Sequence, residues 1–169
     1  MDKKGNASSI PGSYGNSGIF KYFRTLSDIS SYVSIEASSK LNGQPELLLE
    51  EPSSKWFGTS DERNSFIIVT FLKHAVSIQK YSMKTHSCDG NGHIMGWKLL
   101  GSLDQKHWID LHSITETREF DGIDITREFT IPPTPFVKYI KLIQTHENTK
   151  GFHNLRLSSL EFYGKMKCY

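Results

Sequence analysis

Residues 96–111 read GWKLLGSLDQKHWIDL and decide the fold of this chain. Trp97, Leu99 and Gly101 occupy every second position, and in a β-strand such positions share one face. The segment Asp-Gln-Lys that follows is typical of a turn, after which the apolar run starts again. The stretch therefore predicts two strands joined by a short turn, at 97–103 and 107–111.

Both tryptophans of this stretch are predicted to lie in the hydrophobic core. Trp97 and Trp108 each belong to an alternating segment, and the inward positions of such strands are filled by large apolar side chains. A platform for a ligand is the alternative for two aromatic residues, and the strand pattern argues against it.

Further short apolar segments recur along the chain, separated by turns and with almost no helical periodicity. Residues 66–72 are apolar on both faces, which predicts a strand that is covered on both sides. Within 76–83 the apolar phase slips between Ile78 and Tyr81, and such a slip predicts a β-bulge. Many short strands predict an all-β protein built as an antiparallel β-sandwich. The other predicted strands are 33–37, 126–131, 136–145 and 155–163, and 19–26 is expected to be a short helical or irregular segment.

The composition indicates one globular domain. The 169 residues, of which 37% are apolar and 22% charged, suffice for one core and are too few for two comfortable domains. A net charge of +2 is too small to predict a nucleic-acid partner. No run of 18 apolar residues occurs, so no membrane-spanning segment is predicted. Residues 1–18, rich in Gly, Ser and Asn, are predicted to be a flexible tail, and residues 19–166 the folded domain.

The amino-terminal residues lack the apolar segment of a signal peptide, so we expect a cytoplasmic protein. In that reducing compartment Cys88 and Cys168 are expected to be free thiols. A disulfide between them is the alternative that the sequence leaves open.

The order of these motifs resembles that of the discoidin or coagulation-factor type C domain family. The resemblance rests on 96–111, on FVKYIKLIQT at 136–145 and on LSSLEFYG at 157–164, and it extends over roughly residues 18–166. The spacing is most similar to that of the intracellular branch of the family, which occurs in eukaryotic and especially protist proteins. The resemblance implies an eight-stranded antiparallel jelly roll of the galactose-binding-like type, which binds a partner and does not catalyse.

Two functions agree with that resemblance. Because we expect a cytoplasmic protein, the first is a non-catalytic module that binds protein partners within a larger intracellular assembly, of the ubiquitin-ligase, cytoskeletal or ciliary type. The alternative is a carbohydrate-binding domain, lectin-like and of the galactose type, with calcium as a stabilising ion. The chain contains no Gly-x-Ser-x-Gly, His-Glu-x-x-His, P-loop or dinucleotide-binding motif, so enzymatic activity is not expected.

A polar loop at 145–154, THENTKGFHN, has the composition of a sugar-binding loop. Sugar recognition needs planar polar side chains for the hydroxyl groups and an aromatic face for the C–H groups of the ring. The alternative is that the loop is only a turn typical of the family, with Phe152 packed into the sandwich. The candidate ligand- or partner-binding residues are Arg63, His146, Asn148, Phe152 and His153.

A calcium site is a second candidate, implied by the resemblance. In sugar-binding relatives the loop that corresponds to residues 50–56 and a carboxy-terminal Glu help to hold a calcium ion, and calcium takes six to eight oxygen ligands. Pro52 and the lack of Asp-Gly steps depart from the family pattern, so the alternative is a solvated acidic loop whose Trp56 plugs the end of the core. No obligatory cofactor is expected, and the candidate calcium ligands are Glu50, Glu51, Ser54 and Glu161.

The loop at 86–93, HSCDGNGH, contains two imidazoles, a thiol and a carboxylate. These groups are zinc ligands and also the ingredients of nucleophilic catalysis. Their spacing matches no established structural zinc site, and Cys88 lacks the flanking residues of a known thiol enzyme. The Asp-Gly and Asn-Gly steps favour a polar loop between two strands instead.

Overall fold

The computed structural model describes residues 8–9, 17–88, 90 and 92–169. One α-helix, α1 (Ile19–Leu26), and two short 3-10 helices, Ile29–Ser31 and Pro45–Leu49, occur in this part of the chain. The strands, in chain order, are β1 (Ser8–Ser9), β2 (Val33–Ala37), β3 (Phe57–Gly58), β4 (Phe66–Phe71), β5 (His74–Lys84), β6 (Trp97–Ser102), β7 (Ile109–Ile114), β8 (Thr126–Thr130), β9 (Tyr139–Gln144), β10 (Arg156–Leu157) and β11 (Ser159–Cys168).

Two antiparallel sheets pack face to face as a β-sandwich. The larger sheet has the strand order β2-β4-β9-β6-β7, and the smaller one has the order β1-β11-β5-β8. β3 and β10 form a separate two-stranded ladder, and every strand pair in the described ranges is antiparallel. With the two-residue β1 set aside, the two sheets contain five and three strands. The predicted eight-stranded antiparallel jelly-roll sandwich is thereby confirmed.

The core lies between the two sheets and is built from alternate strand residues. The larger sheet contributes Trp97 and Leu99 of β6 and Leu142 of β9, and the smaller sheet contributes Tyr81 and Phe162. The indole N–H of Trp97 donates to the Tyr81 hydroxyl at 2.8 Å, so the polar atom of this buried tryptophan has a partner. Burial of large side chains from both sheets is what holds the two layers together.

The prediction for Trp97 is confirmed, whereas the prediction for Trp108 is wrong. Trp108 is only half-buried, and its indole N–H donates to the Gln105 carbonyl at 3.1 Å. β7 begins at Ile109, so Trp108 belongs to the end of the turn and has no inward strand position to occupy. Its ring lies outside the core, where the Lys141 ammonium is 5.6 Å from the ring centroid.

The predicted bulge is confirmed in β5. Ile78 and Lys80 pair with consecutive residues of β11, so Gln79 has no opposite residue. The extra residue turns both Ile78 and Tyr81 toward the core, which explains the slip of the apolar phase in the sequence. On β11 the paired residue is Gly164, where a Cβ atom would lie 2.1 Å from a carbonyl oxygen of β5. Glycine is therefore required for the close approach of the two strands.

The prediction for residues 66–72 is confirmed in part. β4 lies inside the larger sheet, and Ile67 and Phe71 point into the core. Phe66, on the outward face, is partly exposed beneath the Lys141 ammonium, which lies 4.1 Å from its ring centroid. One face of the strand is therefore fully covered and the other is not.

Three predictions on chain organisation have different outcomes. The predicted tail, residues 1–18, lies mostly outside the described residues, although Ser8–Ser9 pair with β11. Cys88 and Cys168 are free thiols, so the alternative disulfide is not formed. Within the part of the chain that the structure describes, no helix has the length and apolar character needed to cross a bilayer.

Candidate functional site

The loop at 145–154 lies at the end of the sandwich where β9 ends and β4 begins. Antiparallel pairing of Phe66 with Ile143 places these two strand ends side by side. The Gln144 N–H donates to the Ser65 carbonyl at 2.9 Å, which extends the contact into both loops. Because of this pairing, Arg63 of the β3–β4 loop lies beside residues that follow it much later in the sequence.

A small pocket of about 140 Å³ opens between these two loops. Arg63 has no hydrogen bond or ion pair within the described ranges, so its guanidinium donors are free to meet a ligand. Asn64 adopts the left-handed conformation with φ of 59°, which asparagine tolerates in turns better than most residues. The lining residues are Arg63, Asn64, Gln144, Thr145 and His153.

His153 is held in the wall of this pocket by neighbouring carboxylates. Its backbone N–H donates to Asp61 Oδ1 at 2.7 Å. Its Nε2 atom lies 3.8 Å from Glu147 Oε1, a weak contact that leaves the imidazole available for other hydrogen bonds. The pocket lining therefore contains one cationic residue and neutral polar residues, and the two carboxylates contact His153 outside that lining.

Phe152 is exposed, so the alternative that packed it into the sandwich is wrong. The fraction of Phe152 that is accessible is 48%, and the ring precedes the pocket residue His153 in the chain. The Phe152 carbonyl accepts a hydrogen bond from Gln144 Nε2 at 3.4 Å, so the backbone of Phe152 borders the pocket, although its ring is not part of the lining. An exposed aromatic face is what the C–H groups of a sugar ring pack on.

Asn148 shapes the loop that presents Phe152. Its Oδ1 atom accepts the Lys150 N–H at 3.0 Å and the Phe152 N–H at 3.1 Å, while its own N–H donates to the Phe152 carbonyl at 2.7 Å. Asn148 itself is buried, and its Nδ2 atom has no acceptor among the residues that the structure describes. Its geometric role is to position the loop, and direct contact with a ligand stays a prediction.

The remaining candidate of this group, His146, lies apart from the pocket lining. Its Cβ would be 2.7 Å from a Cβ atom built on Gly96, so His146 packs against the segment that leads into β6. Its Nδ1 atom is 3.0 Å from the Glu147 carbonyl oxygen. The structure therefore brings Arg63 and His153 together and leaves His146 to one side.

The β5–β6 loop supports the 145–154 loop from the opposite side. The His93 N–H donates to Thr149 Oγ1 and the Thr149 N–H donates to the His93 carbonyl, both at 3.0 Å. Gly92 packs on Asn148, since a Cβ atom on this glycine would lie 2.1 Å from Asn148 Oδ1. These contacts hold the loop in one shape before any ligand arrives.

Buried polar atoms without partners concentrate around this loop. Buried side-chain nitrogen and oxygen atoms almost always have a hydrogen-bond partner in the protein or an ordered water. In the described part of the chain seven such atoms lack a protein partner. Five of them belong to residues of this region, and they are His93 Nδ1, Gln144 Oε1, Asn148 Nδ2, Asn154 Oδ1 and Arg156 Nε. Their hydrogen bonds are left for water or for a bound polar molecule.

Glu161, the first of the calcium candidates, caps helix α1. Its largely buried carboxylate accepts the backbone N–H groups of Phe20 at 2.8 Å, Lys21 at 3.1 Å and Phe162 at 3.0 Å. Gly18, which precedes the helix, has no side chain to cap it, and a Cβ atom there would lie 1.9 Å from Glu161 Cδ. Burial raises the pKa of Glu161, and these hydrogen bonds oppose the rise.

The other calcium candidates contribute little to a common site. Glu50 and Glu51 line a pocket of about 270 Å³ together with Glu161, but Glu51 is paired with Arg24 at 3.2 Å. Ser54 is outside that lining, and its carbonyl accepts the Ser87 hydroxyl at 3.0 Å. No group of three or more His, Cys, Asp or Glu side chains suited to a metal occurs among the described residues. The described residues therefore do not bring together the six to eight oxygens that calcium takes. Calcium binding itself stays a prediction.

The His86–His93 loop has the features of a structural loop. The His86 and His93 rings stack with centroids 4.5 Å apart, and His86 uses Nε2 on the Gly92 carbonyl and Nδ1 on the Cys88 N–H. The Cys88 thiol accepts the Trp56 indole N–H at 3.1 Å, while Asp89 lies outside the described residues. Burial, together with the neighbouring His86, lowers the pKa of His93 to about 4. Both nitrogens of His86 are engaged, which disfavours a zinc site and favours the polar loop.

Sequence reasoning assigned no ligand role to Asn64, Gln144 or Thr145, which line the Arg63 pocket. Gln144 and Thr145 are the last residues of a predicted strand, and such positions give no separate signal of binding. Only the pairing of β4 with β9 brings them to Arg63.

A search of the solved structures finds domains with the same fold. The CpGH89CBM32-5 module of Clostridium perfringens, in complex with GalNAc-β-1,3-galactose, has a TM-score of 0.66 and 15% identity over 78% of this chain and 95% of that chain. The family 32 carbohydrate-binding module of C. perfringens NanJ, in complex with galactose, has a TM-score of 0.64 and 14% identity over 79% and 94%. A chitosan-binding module from a Paenibacillus chitosanase/glucanase has a TM-score of 0.62 and 14% identity over 78% and 93%. The fold of this chain is the galactose-binding-like jelly roll.

At such identities the likeness establishes the fold alone. A scan against protein-family models finds no match, and a search of the curated proteins likewise finds none. The similar solved domains are described by the carbohydrates that they bind.

Proposed function

We propose that this chain is a non-catalytic carbohydrate-binding module whose site is the Arg63–His153 pocket with Phe152 beside it. The observation that carries the proposal is that Arg63, which has no hydrogen bond or ion pair within the described residues, and His153 line one pocket, while Phe152, the residue before His153, is exposed. Arg63 and His153 come from different loops, and the ring of Phe152 remains in solvent although an apolar side chain gains free energy by burial.

The chemistry of the pocket matches that of a sugar. A sugar hydroxyl both donates and accepts hydrogen bonds, and the pocket lining contains donors on Arg63 and an acceptor on Gln144, whose Oε1 has no partner among the described residues. The face of Phe152 is suited to the C–H groups of the pyranose ring. Because Asn148 already holds the loop, little conformational entropy is lost when a ligand binds.

A protein partner within an intracellular assembly is the second candidate function. The observation that favours it is again the exposed Phe152, because aromatic side chains anchor many protein interfaces. The cytoplasmic location expected from the sequence belongs with this candidate.

Titration calorimetry on a panel of saccharides tests the proposal, with galactose, GalNAc-β-1,3-galactose and chitosan oligomers as probes. We expect binding by the wild type and at least a tenfold loss of affinity in Arg63→Ala and in Phe152→Ala, with little change in melting temperature. Leu103→Ala and Arg127→Ala are matched controls, because Leu103 is as exposed as Phe152 and the Arg127 side chain donates to the neighbouring Thr126 carbonyl and to no other described residue. Absence of binding to every saccharide, with capture of a defined protein partner that Phe152→Ala abolishes, would establish the second candidate instead.

A further inference from the structure

A second pocket, of about 310 Å³, is lined in part by Thr149 and Lys150 at the tip of the 145–154 loop. It is larger than the Arg63 pocket, and its volume falls in the range of about 300–1,000 Å³ that is usual for ligand sites. Three segments meet there, namely the β5–β6 loop, the β7–β8 loop and the 145–154 loop. The lining residues include His93, Asp121, Gly122, Ile123, Thr149 and Lys150.

From this pocket we infer a second saccharide subsite, so that the module recognises an oligosaccharide and the 145–154 loop lies between two sugar units. The inference rests on the proposed function and extends it from a single sugar to a chain of at least two. Asp121 and Lys150 are the polar contacts of the second sugar unit, and Ile123 is its apolar contact.

The side chains of the second pocket supply both kinds of hydrogen-bonding group that a polyhydroxylated ligand needs. Asp121 is an acceptor, and its only ion pair within the described ranges is a long one, 3.9 Å to Arg118 on the surface. Lys150 is a donor with no ion pair in the same part of the chain. Ile123 is 48% exposed, which leaves an apolar side chain at the mouth of a polar pocket. This mixture of apolar and polar groups is the one that sugar rings bind.

His93 provides the independent sign of a missing partner. It lines the second pocket, only 5% of its surface is exposed, and its Nδ1 atom has no hydrogen-bond partner among the described residues. A buried polar atom without a partner costs free energy, so the fold tolerates it where water or a ligand completes the hydrogen bond. Two hydrogen bonds hold this pocket wall together, because the His93 N–H donates to Thr149 Oγ1 and the Thr149 N–H donates to the His93 carbonyl.

The 145–154 loop physically joins the two pockets. Thr145 and His153, near its ends, line the Arg63 pocket, whereas Thr149 and Lys150, at its tip, line the second one. The turn that Asn148 builds therefore sets the position of both linings at once. A ligand of two linked sugar units that contacts both linings forms the second contact intramolecularly once the first has formed.

The test is titration calorimetry with saccharides of increasing length, using galactose against GalNAc-β-1,3-galactose and glucosamine against its dimer and trimer from chitosan. In whichever series binds, we expect the longer saccharide to have at least tenfold higher affinity than the single sugar. Lys150→Ala and Asp121→Asn should reduce the oligosaccharide affinity to that of the single sugar and leave single-sugar binding unchanged. Arg63→Ala should weaken both.

The controls separate failure of the second subsite from failure of the proposed function. Lys106→Ala, an exposed lysine in the β6–β7 turn, should alter neither affinity. Equal affinity for single and linked sugars, or oligosaccharide binding that is unchanged in Lys150→Ala and Asp121→Asn, would overturn the second subsite while carbohydrate binding stands. Binding to no saccharide of either series would overturn the proposed function and the subsite together.

Discussion

Two regions of the molecule contain the residues singled out as binding candidates, and they differ in how far the fold already satisfies their polar groups. Beside α1 the Glu161 carboxylate accepts three backbone N–H groups, and Glu51 is paired with Arg24. Around the 145–154 loop Arg63 has no partner in the described part, and several buried amide atoms also lack one. A group whose hydrogen bonds are complete stabilises the fold, whereas an incomplete one retains interaction energy for a ligand.

The largest effect is expected at the helix cap. Glu161→Ala removes the acceptor of three N–H groups, and a buried donor left without a partner costs about 1–3 kcal/mol. We expect the free energy of unfolding, measured by urea denaturation, to fall by about 3 kcal/mol. Glu161→Gln keeps one carbonyl acceptor and should lose less. A Glu161→Ala protein as stable as the wild type would show that the carboxylate is not a structural cap.

The loop turn is expected to affect stability less and binding more. Asn148→Ala removes the acceptor for two backbone N–H groups, so we expect a loss of about 1–2 kcal/mol in unfolding free energy. The same substitution should weaken saccharide binding at least tenfold, because the loop that presents Phe152 loses its shape. Asn148→Asp keeps the oxygen acceptor and serves as the matched control for both measurements. Full saccharide affinity in Asn148→Ala would disprove its positioning role.

The contributions of His93 and Glu161 to stability should change with pH in opposite directions. Burial lowers the pKa of His93 from the ordinary 6.5 to about 4, so its contribution to stability is complete above pH 6.5 and is lost as pH falls toward 4. Burial raises the pKa of Glu161 above 4.5, so its contribution is complete below that value and is lost as pH rises through the raised pKa.

Melting temperatures from pH 4 to pH 8 measure these contributions, with each variant compared with the wild type. His93→Gln should flatten the decline below pH 6.5, and Glu161→Gln should flatten the loss that accompanies ionisation of the carboxyl group. If the melting temperature falls toward acid pH equally in His93→Gln and in the wild type, groups other than His93 cause the fall.

The smallest effect is expected from calcium. Because the Glu161 oxygens already accept three N–H groups, neither excess calcium nor a chelator should change the melting temperature measurably. A clear rise of the melting temperature with calcium that Glu50→Gln abolishes would instead establish the calcium site implied by the resemblance. Both regions would then contain a ligand site.

Strand-level features were largely predictable because they follow local rules. The alternation around Trp97 and the phase slip at Ile78 and Tyr81 are visible in a few consecutive residues, and the structure confirms both. The alternation places Trp108 in a strand, whereas the length of the turn, which alternation does not specify, makes β7 begin only at Ile109. The polar neighbours of Phe152 predict a binding residue but do not specify whether its ring lies in solvent or in the core, and the structure leaves it 48% exposed.

The sequence by itself determined the period-two pattern, the bulge and the family-like order of motifs, because each is a property of neighbouring residues. Only the tertiary structure decided which polar groups have hydrogen-bond partners and which of the described ones lack them. Glu161 caps α1 because the first N–H groups of this helix lie against β11. Arg63 lines a pocket because β4 pairs with β9. Hydrogen-bond partners distant in the chain meet only when the sheets form, so local sequence carries no record of which bonds the fold will complete.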